Sequence, residues 1–245
     1  MENILKSGAD MLSVDLSDEQ INKFILYAKL LKEWNEKINL TAITDDFSIA
    51  TKHFLDCISP IQTGHIQGKV IDVGCGAGFP GLVLKIAKPD IDLTLLDSLN
   101  KRINFLITVC DELKIEGVNF EHQRAEDGAR RMREQFDTVV SRAVANMSVL
   151  SELCLPFLKV GGRFLALKGP LAIEELKEAK NAIHILGGEV EDVYETKIPN
   201  TDLSHKIIIV KKVRHTPMKF PRKAGIVTKN PIDSCYNLKE NKKKK

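Results

Sequence analysis

Apolar residues between positions 21 and 34 recur at helical spacing: Ile21, Phe24, Ile25, Ala28, Leu31 and Trp34 fall on one face of a 3.6-period repeat. Ser17-Asp-Glu-Gln20 stands just before them in the form of a capping box, so the pattern predicts a helix of about five turns beginning there. A second, shorter helix is expected over residues 45–57, where Ile49, His53 and Asp56 or Cys57 lie one turn apart. On that spacing His53 and Asp56 can pair. Pro60 and the stretch from Gly64 to Gly68 end this helical preamble.

From Lys69 onward the period changes. Short apolar runs at 70–73, 92–96, 118–122, 136–140 and 162–167 alternate with helical segments at 81–87, 101–113, 148–158 and 174–186, and two more strands follow near 190–196 and 206–213. This alternation of strands with helices implies βαβ units with right-handed crossovers, hence an α/β fold with a doubly wound, mostly parallel sheet of seven strands. The short connection around Pro199 predicts that the last two strands form an antiparallel hairpin at one edge. The expected organisation is a helical extension over residues 1–62, a core over 63–213 and a basic C-terminal segment over 214–245.

Composition narrows the class. The chain has 245 residues, 43% hydrophobic and 28% charged, with 15 Gly and 9 Pro, which excludes collagen-like and low-complexity readings. No apolar run approaches the roughly 20 residues of a membrane span, and residues 1–15 show no signal-peptide pattern. The five cysteines are scattered, without Cys-x-x-Cys or zinc spacing. They are expected to be reduced, buried thiols in a cytoplasmic, monomeric protein without a metal or a membrane partner. Charge is segregated: residues 205–245 hold 13 Lys/Arg against Asp233 and Glu240, a local net of 13 − 2 = +11, on a chain of overall net +3. A basic segment on an acidic body is the footprint of a polyanion partner. Within it, Arg214, Lys219, Arg222 and Lys223 are interleaved with Pro217, Phe220, Pro221 and Gly225 and are expected to contact RNA phosphates. Lys242 to Lys245 read as a solvated tail.

Candidate chemistry begins at Val70-Ile-Asp-Val-Gly-Cys-Gly-Ala-Gly-Phe-Pro-Gly81, a glycine-rich turn at the carboxyl end of the first strand, where open α/β sheets bind ligands. Gly76 to Gly81 satisfies G-x-G-x-x-G, which admits a dinucleotide. Two details favour S-adenosylmethionine. Asp72 would repel a pyrophosphate but suits an ammonium and a sulfonium. Pro80 removes an N–H that a phosphate would use. Asp97, ending the second strand, can accept both ribose hydroxyls, and Ala125-Glu126 after the third strand offers a backbone and a carboxylate at the height of an adenine. Asp72 as a satisfied strand-end carboxylate and Glu126 as a helix N-terminal acid are the plainer alternatives.

Asp72 to Gly81, Asp97-Ser-Leu-Asn-Lys-Arg102, Arg124-Ala-Glu126, Ser141-Arg-Ala143, Ala166-Leu-Lys-Gly169 and Pro221-Arg-Lys-Ala-Gly225, together with Trp34-Asn35, Asn39-Leu-Thr41 and His53-Phe-Leu-Asp56, resemble the bacterial RsmG (GidB) family. The resemblance runs in order over about residues 15–232. It implies a class I, Rossmann-like methyltransferase that transfers a methyl group from S-adenosylmethionine to N7 of a guanine in 16S ribosomal RNA, guanine 527 in the family, with that RNA or the small subunit as partner. It further implies that Gly74, Phe79, Ala125, Glu126 and Arg142 touch the cofactor, beside Asp72, Gly76, Gly78 and Asp97. Cys75 and Cys57 stand where the family commonly has small hydroxyl residues, and residues 232–245 have no counterpart.

The fourth strand reads Val139-Val-Ser-Arg-Ala143, without the Asn/Asp-Pro-Pro-aromatic segment used on exocyclic amines and without a cysteine nucleophile. Guanine N7 already offers its lone pair, so position outweighs acid–base help. Arg142 can meet the cofactor carboxylate or guanine O6, or be a capping or salt-bridged arginine. Lys168 at the end of the fifth strand can face the ligand or only solvent. His53 near the site mouth is a candidate RNA contact or a satisfied structural histidine. An NAD(P)-dependent oxidoreductase and a non-catalytic ribosome-assembly protein remain the alternatives.

Overall fold

Ser17 Oγ accepts from Gln20 N while the Gln20 side chain accepts from Ser17 N at 2.8 Å, and this capping box starts helix α2 (Asp18–Ile38) as its sequence predicts. The computed structural model describes residues 1–142, 145–232 and 236; Ala143, Cys235 and the lysines 242–245 lie outside the described residues. Helix α1 (Glu2–Met11) precedes α2 and was not legible as a helix, because its buried face is only Leu5, Gly8 and Ala9 and a mid-helix glycine weakens the pattern. Gly8 is there for contact: a Cβ on it would strike the Leu55 side chain. The expected second helix is a continuous run of α3 (Asp46–Ser48), a π-helical stretch Ile49–Leu55 and α4 (Asp56–Ile58). Such π segments favour functional sites because they re-aim side chains.

The core alternates β1 (Lys69–Val73), α5 (Gly81–Ala87), β2 (Asp92–Asp97), α6 (Asn100–Leu113), β3 (Val118–His122), α7 (Ala125–Arg131), β4 (Phe136–Arg142), α8 (Met147–Cys154) and β5 (Leu158–Lys168). Then come α9 (Ala172–Ile185), β6 (Gly188–Lys197), β7 (Ser204–Lys212) and the short α10 (Ile226–Lys229). The seven strands lie in the order β3-β2-β1-β4-β5-β7-β6, with β7 antiparallel to both neighbours, so the edge hairpin is where the sequence puts it. The predicted helix 148–158 stops four residues early, because Pro156 cannot continue it and a 3-10 turn Leu155–Phe157 intervenes.

Successive strand residues point to opposite faces, which explains the unbroken apolar runs. Val70, Leu93 and Leu95 pack with α1, α2, α5 and α6, whereas Ile71, Val73 and Leu96 pack with α7, α8 and α9. Both faces are covered. The N-terminal helices share the first of these cores, and Phe220, Val227 and Ile232 are buried, Phe220 and Ile232 within the second. The basic segment is therefore anchored to the body through residue 232, not appended to it.

Candidate functional site

Strand order reverses between β1 and β4, and the crevice beyond their carboxyl ends is where a doubly wound sheet takes a ligand. A cavity of about 530 Å³ opens there, bounded by the turn Gly74–Gly76, Phe79, Asp97, Glu126 and Arg142. Gly76 has φ +57 and no atom within 4 Å of where a Cβ would stand, so its bare backbone faces open space in the cavity. Gly78 differs: it does not line the cavity, and a Cβ there would strike the Tyr27 hydroxyl and Leu106. Its lack of a side chain admits α2 and α6 to the loop, which corrects its placement among the cofactor contacts. Tyr27 Oη donates to the Ala77 carbonyl, and the Phe79 ring lies between Tyr27 at 5.8 Å and His53 at 4.5 Å. Helix α2 thus fixes the glycine loop directly.

The three strand-end acids take different roles. Asp97 ends β2 on the cavity, with Oδ2 accepting from Gly76 N at 3.0 Å and Arg102 Nη1 at 3.2 Å, and Oδ1 accepting from Leu99 N at 2.9 Å. A carboxylate has about four acceptor sites, so one remains and a second ribose hydroxyl has to displace Arg102. Glu126 is 7% exposed, lines the cavity at the start of α7, and takes no hydrogen bond among the described residues. Asp72 lies outside the cavity, fully buried, with Oδ2 accepting from Gly81 N at 2.7 Å and Oδ1 unpartnered. Burial pushes its carboxyl up to about 7, against the Gly81 N–H and the Arg142 charge, which pull it down. Asp72 occupies, through Oδ2, the N–H at the start of α5 that a pyrophosphate would need.

Arg142, at the end of β4, gathers a second group of side chains. Its Nη1 donates to the Lys52 carbonyl at 2.9 Å and to Asp56 Oδ2 at 3.1 Å, its Nη2 donates to His53 Nδ1 at 3.2 Å, and its guanidinium sits 5.0 Å over Phe79. His53 and Asp56 do not pair with each other; both grip Arg142 instead. With Nδ1 accepting, His53 Nε2 donates to Thr41 Oγ1 at 2.8 Å, and burial with the Arg142 charge lowers its pKa to about 4. A buried neutral ring gives no charge to a phosphate, so His53 is a wall of the cavity, not a backbone contact. Lys168 is also committed: 7% exposed, it pairs with Glu175 Oε2 at 2.7 Å and donates to the Ala145 carbonyl. Burial pushes the thiols up, Cys110 to about 12 and Cys75 and Cys154 well above the usual value, so none of them is a nucleophile at neutral pH.

The comparisons of sequence with known proteins agree on one family. The family model described as GidB, rRNA small subunit methyltransferase G, matches residues 20–204. The chain is 53% identical over 234 residues to the ribosomal RNA small subunit methyltransferase G of Clostridium perfringens (strain SM101), covering 94% of this chain and 98% of the relative. It is 52% identical to the same-named protein of Alkaliphilus oremlandii, covering 95% and 99%. The chain belongs to the rRNA small subunit methyltransferase G family. Among solved structures, the crystal structure of a point mutant of MtNAS matches 87% of this chain and 86% of its own with a TM-score of 0.54 at 13% identity, which shows a shared fold.

Residues of the motifs around Asn39-Leu-Thr41, His53, the glycine turn, Asp97, Arg124-Ala-Glu126 and Arg142 line this one region. Asn35 Oδ1 accepts from Leu40 N at 2.6 Å and Thr41 N at 2.8 Å, which holds Thr41 against His53 at the cavity wall. The basic segment behaves otherwise. Arg222 donates through Nε and Nη2 to Glu152, a carboxylate with no exposure, at 2.9 and 2.6 Å. It is an anchor to α8, and its placement as a phosphate contact is corrected. Arg214, Lys219 and Lys223 are exposed, Arg214 donating to the His184 carbonyl at 2.8 Å and Lys219 lying 5.2 Å over Phe220. Thr228 on α10 reaches the cavity rim, and no sequence pattern marks it.

Proposed function

We propose that this methyltransferase moves a methyl group from S-adenosylmethionine to N7 of a guanine in 16S ribosomal RNA, with guanine 527 as the target and a single protomer as the acting unit. The observation that carries the reading is the cavity at the switch point, where Gly76 leaves open space beside Glu126, a buried carboxylate with no protein partner among the described residues. Within it the Gly74–Gly76 backbone, Phe79, Asp97, Ala125 and Glu126 would hold the cofactor. When bound, S-adenosylmethionine supplies an electrophilic methyl group on sulfonium sulfur, and the N7 lone pair takes that carbon as the bond to sulfur breaks. No proton has to leave N7. The chain's own part is to hold the base in line and exclude water. Arg142, fixed by Asp56, Lys52 and His53, is the positioning group between the two partners.

The dinucleotide reading is disfavoured because Asp72 takes the Gly81 N–H. A non-catalytic assembly role is disfavoured by the unpartnered Glu126, which a vestigial site has no reason to keep. Lys219, Lys223 and Arg214 are the groups that would reach phosphates. Labelled S-adenosylmethionine incubated with small-subunit RNA, followed by mapping of the labelled nucleotide, tests the whole reading: a 7-methylguanosine supports it, and 5-methylcytidine or an exocyclic methylamine rejects it.

A further inference from the structure

Beside the glycine-loop cavity lies a second chamber of about 610 Å³, and the two share His53, Arg142 and Ala145. Its far wall is His205, the second residue of β7, one position beyond the stretch matched by the family model. His205 Nδ1 stands 2.9 Å from Asp56 Oδ1, and the other Asp56 oxygen accepts from Arg142 Nη1 at 3.1 Å. One buried carboxylate therefore holds a guanidinium and an imidazole side by side. In the tautomer that gives Nδ1–H to Asp56, the ring's second nitrogen, Nε2, is the one that carries a lone pair. Among the described residues no group donates to that nitrogen, whereas both His53 nitrogens are taken and the Lys168 ammonium gives two of its three N–H groups to Glu175 and Ala145.

This arrangement answers a question the reaction itself poses. Adenine and guanine both carry an N7 lone pair, so methyl transfer to N7 does not by itself choose between them. The difference lies beside N7 and one atom further round the ring: guanine presents an acceptor at O6 next to a donor at N1–H, and adenine presents a donor at N6 next to an acceptor at N1. Arg142 and His205 both line the chamber and are joined through Asp56; beyond its bonds to Lys52, Asp56 and His53 the guanidinium keeps one Nη2–H and its Nε–H as donors, and with an acceptor on His205 this pair would complement guanine. Adenine would set donor against donor and acceptor against acceptor, leaving two desolvated pairs unmet.

Resting on the reading of this protein as a guanine-N7 methyltransferase, we propose that His205 is its specificity residue, accepting the N1–H of the target purine through Nε2 while Asp56 fixes the ring.

The test uses the full chain, S-adenosylmethionine and small-subunit RNA carrying guanine, inosine or 2-aminopurine at the target nucleotide. All three keep N7; inosine keeps O6 and N1–H, and 2-aminopurine lacks both. The wild-type protein should methylate guanine and inosine with similar kcat/KM and 2-aminopurine at least about tenfold less efficiently. In His205→Asn the amide can still donate to Asp56 but nothing replaces Nε2. There kcat/KM on guanine should fall at least about tenfold, and the inosine-to-2-aminopurine ratio should shrink by a similar factor, with affinity for S-adenosylmethionine unchanged. An undiminished ratio in His205→Asn overturns the proposal. Should that variant fail to bind S-adenosylmethionine, equal wild-type rates on inosine and 2-aminopurine overturn it independently. Absence of any N7 methylation by the wild-type protein on guanine RNA is a different result and rejects the underlying function instead.

Discussion

Arg222 closes on Glu152 with its backbone N–H and its guanidinium together, at 2.8 Å from the former and 2.6 to 3.1 Å from the latter, and the carboxylate it meets is wholly excluded from solvent. A cation in the most basic stretch of the chain is thus spent on attaching that stretch to α8. Removing it leaves a buried charge without its partner, so Arg222→Ala is expected to lose about 3 to 5 kcal/mol of unfolding free energy in urea titrations. Replacing both residues by leucine should recover most of that loss, whereas Lys223→Ala should stay within about 0.5 kcal/mol of the parent. A mild Arg222→Ala variant would contradict the anchoring role.

The exposed cations carry the opposite expectation. Lys223→Ala and Arg214→Ala should each lower the slope of log RNA affinity against log salt by about 0.7 to 0.9, with S-adenosylmethionine affinity unaltered. Filter binding at several salt concentrations measures this; unchanged slopes in both would place the RNA elsewhere.

Tyr27 links α2 to the glycine loop through its hydroxyl on the Ala77 carbonyl and through its ring beside Phe79. Tyr27→Phe keeps the ring and deletes the hydrogen bond, so it should cost about 1 kcal/mol of stability and weaken S-adenosylmethionine binding several-fold in calorimetry. An unaltered affinity would mean that the loop holds its shape without α2.

Gly76 is the position at which a side chain would enter the open cavity, and its φ of +57 penalises any L residue. Gly76→Val should therefore abolish measurable S-adenosylmethionine binding while costing about 1 to 2 kcal/mol of stability. A folded Gly76→Val protein that still binds the cofactor would remove the cavity as its site.

His53 gives a pH signature. Its folded pKa of about 4 lies below the ordinary 6.5, so the unfolded chain binds the proton first as the pH falls. The stability tied to the neutral ring is complete above pH 6.5 and is lost progressively as the pH falls from there to about 4, a span of about 3 kcal/mol. Urea midpoints measured at pH 7, 5.5 and 4.5 should fall more steeply for the parent than for His53→Gln. Parallel curves would show that His53 is protonated in the fold.

The linear pattern determined more of the architecture than of the site. Runs such as Val70 to Val73 and Asp92 to Asp97, the Ser17–Gln20 box and the glycine turn encode local geometry and two-sided burial, and those quantities are properties of neighbours in sequence. They yielded the sheet, the edge hairpin and the location of the ligand crevice. What the pattern could not hold is which polar group meets which. Asp56 and His205 are 149 residues apart, and Arg222 and Glu152 are 70 apart, and each pair exists only because packing of the sheet and its helices brings the two together. A positive charge looks the same in sequence whether it faces solvent, like the exposed Lys223, or a buried carboxylate, like Arg222. Asp72 likewise reads as a ligand acid, and only the fold shows that one of its oxygens is taken by the Gly81 N–H. Burial of a face is written in periodicity; the partner of a charge is decided by distance in space, which only the tertiary structure sets.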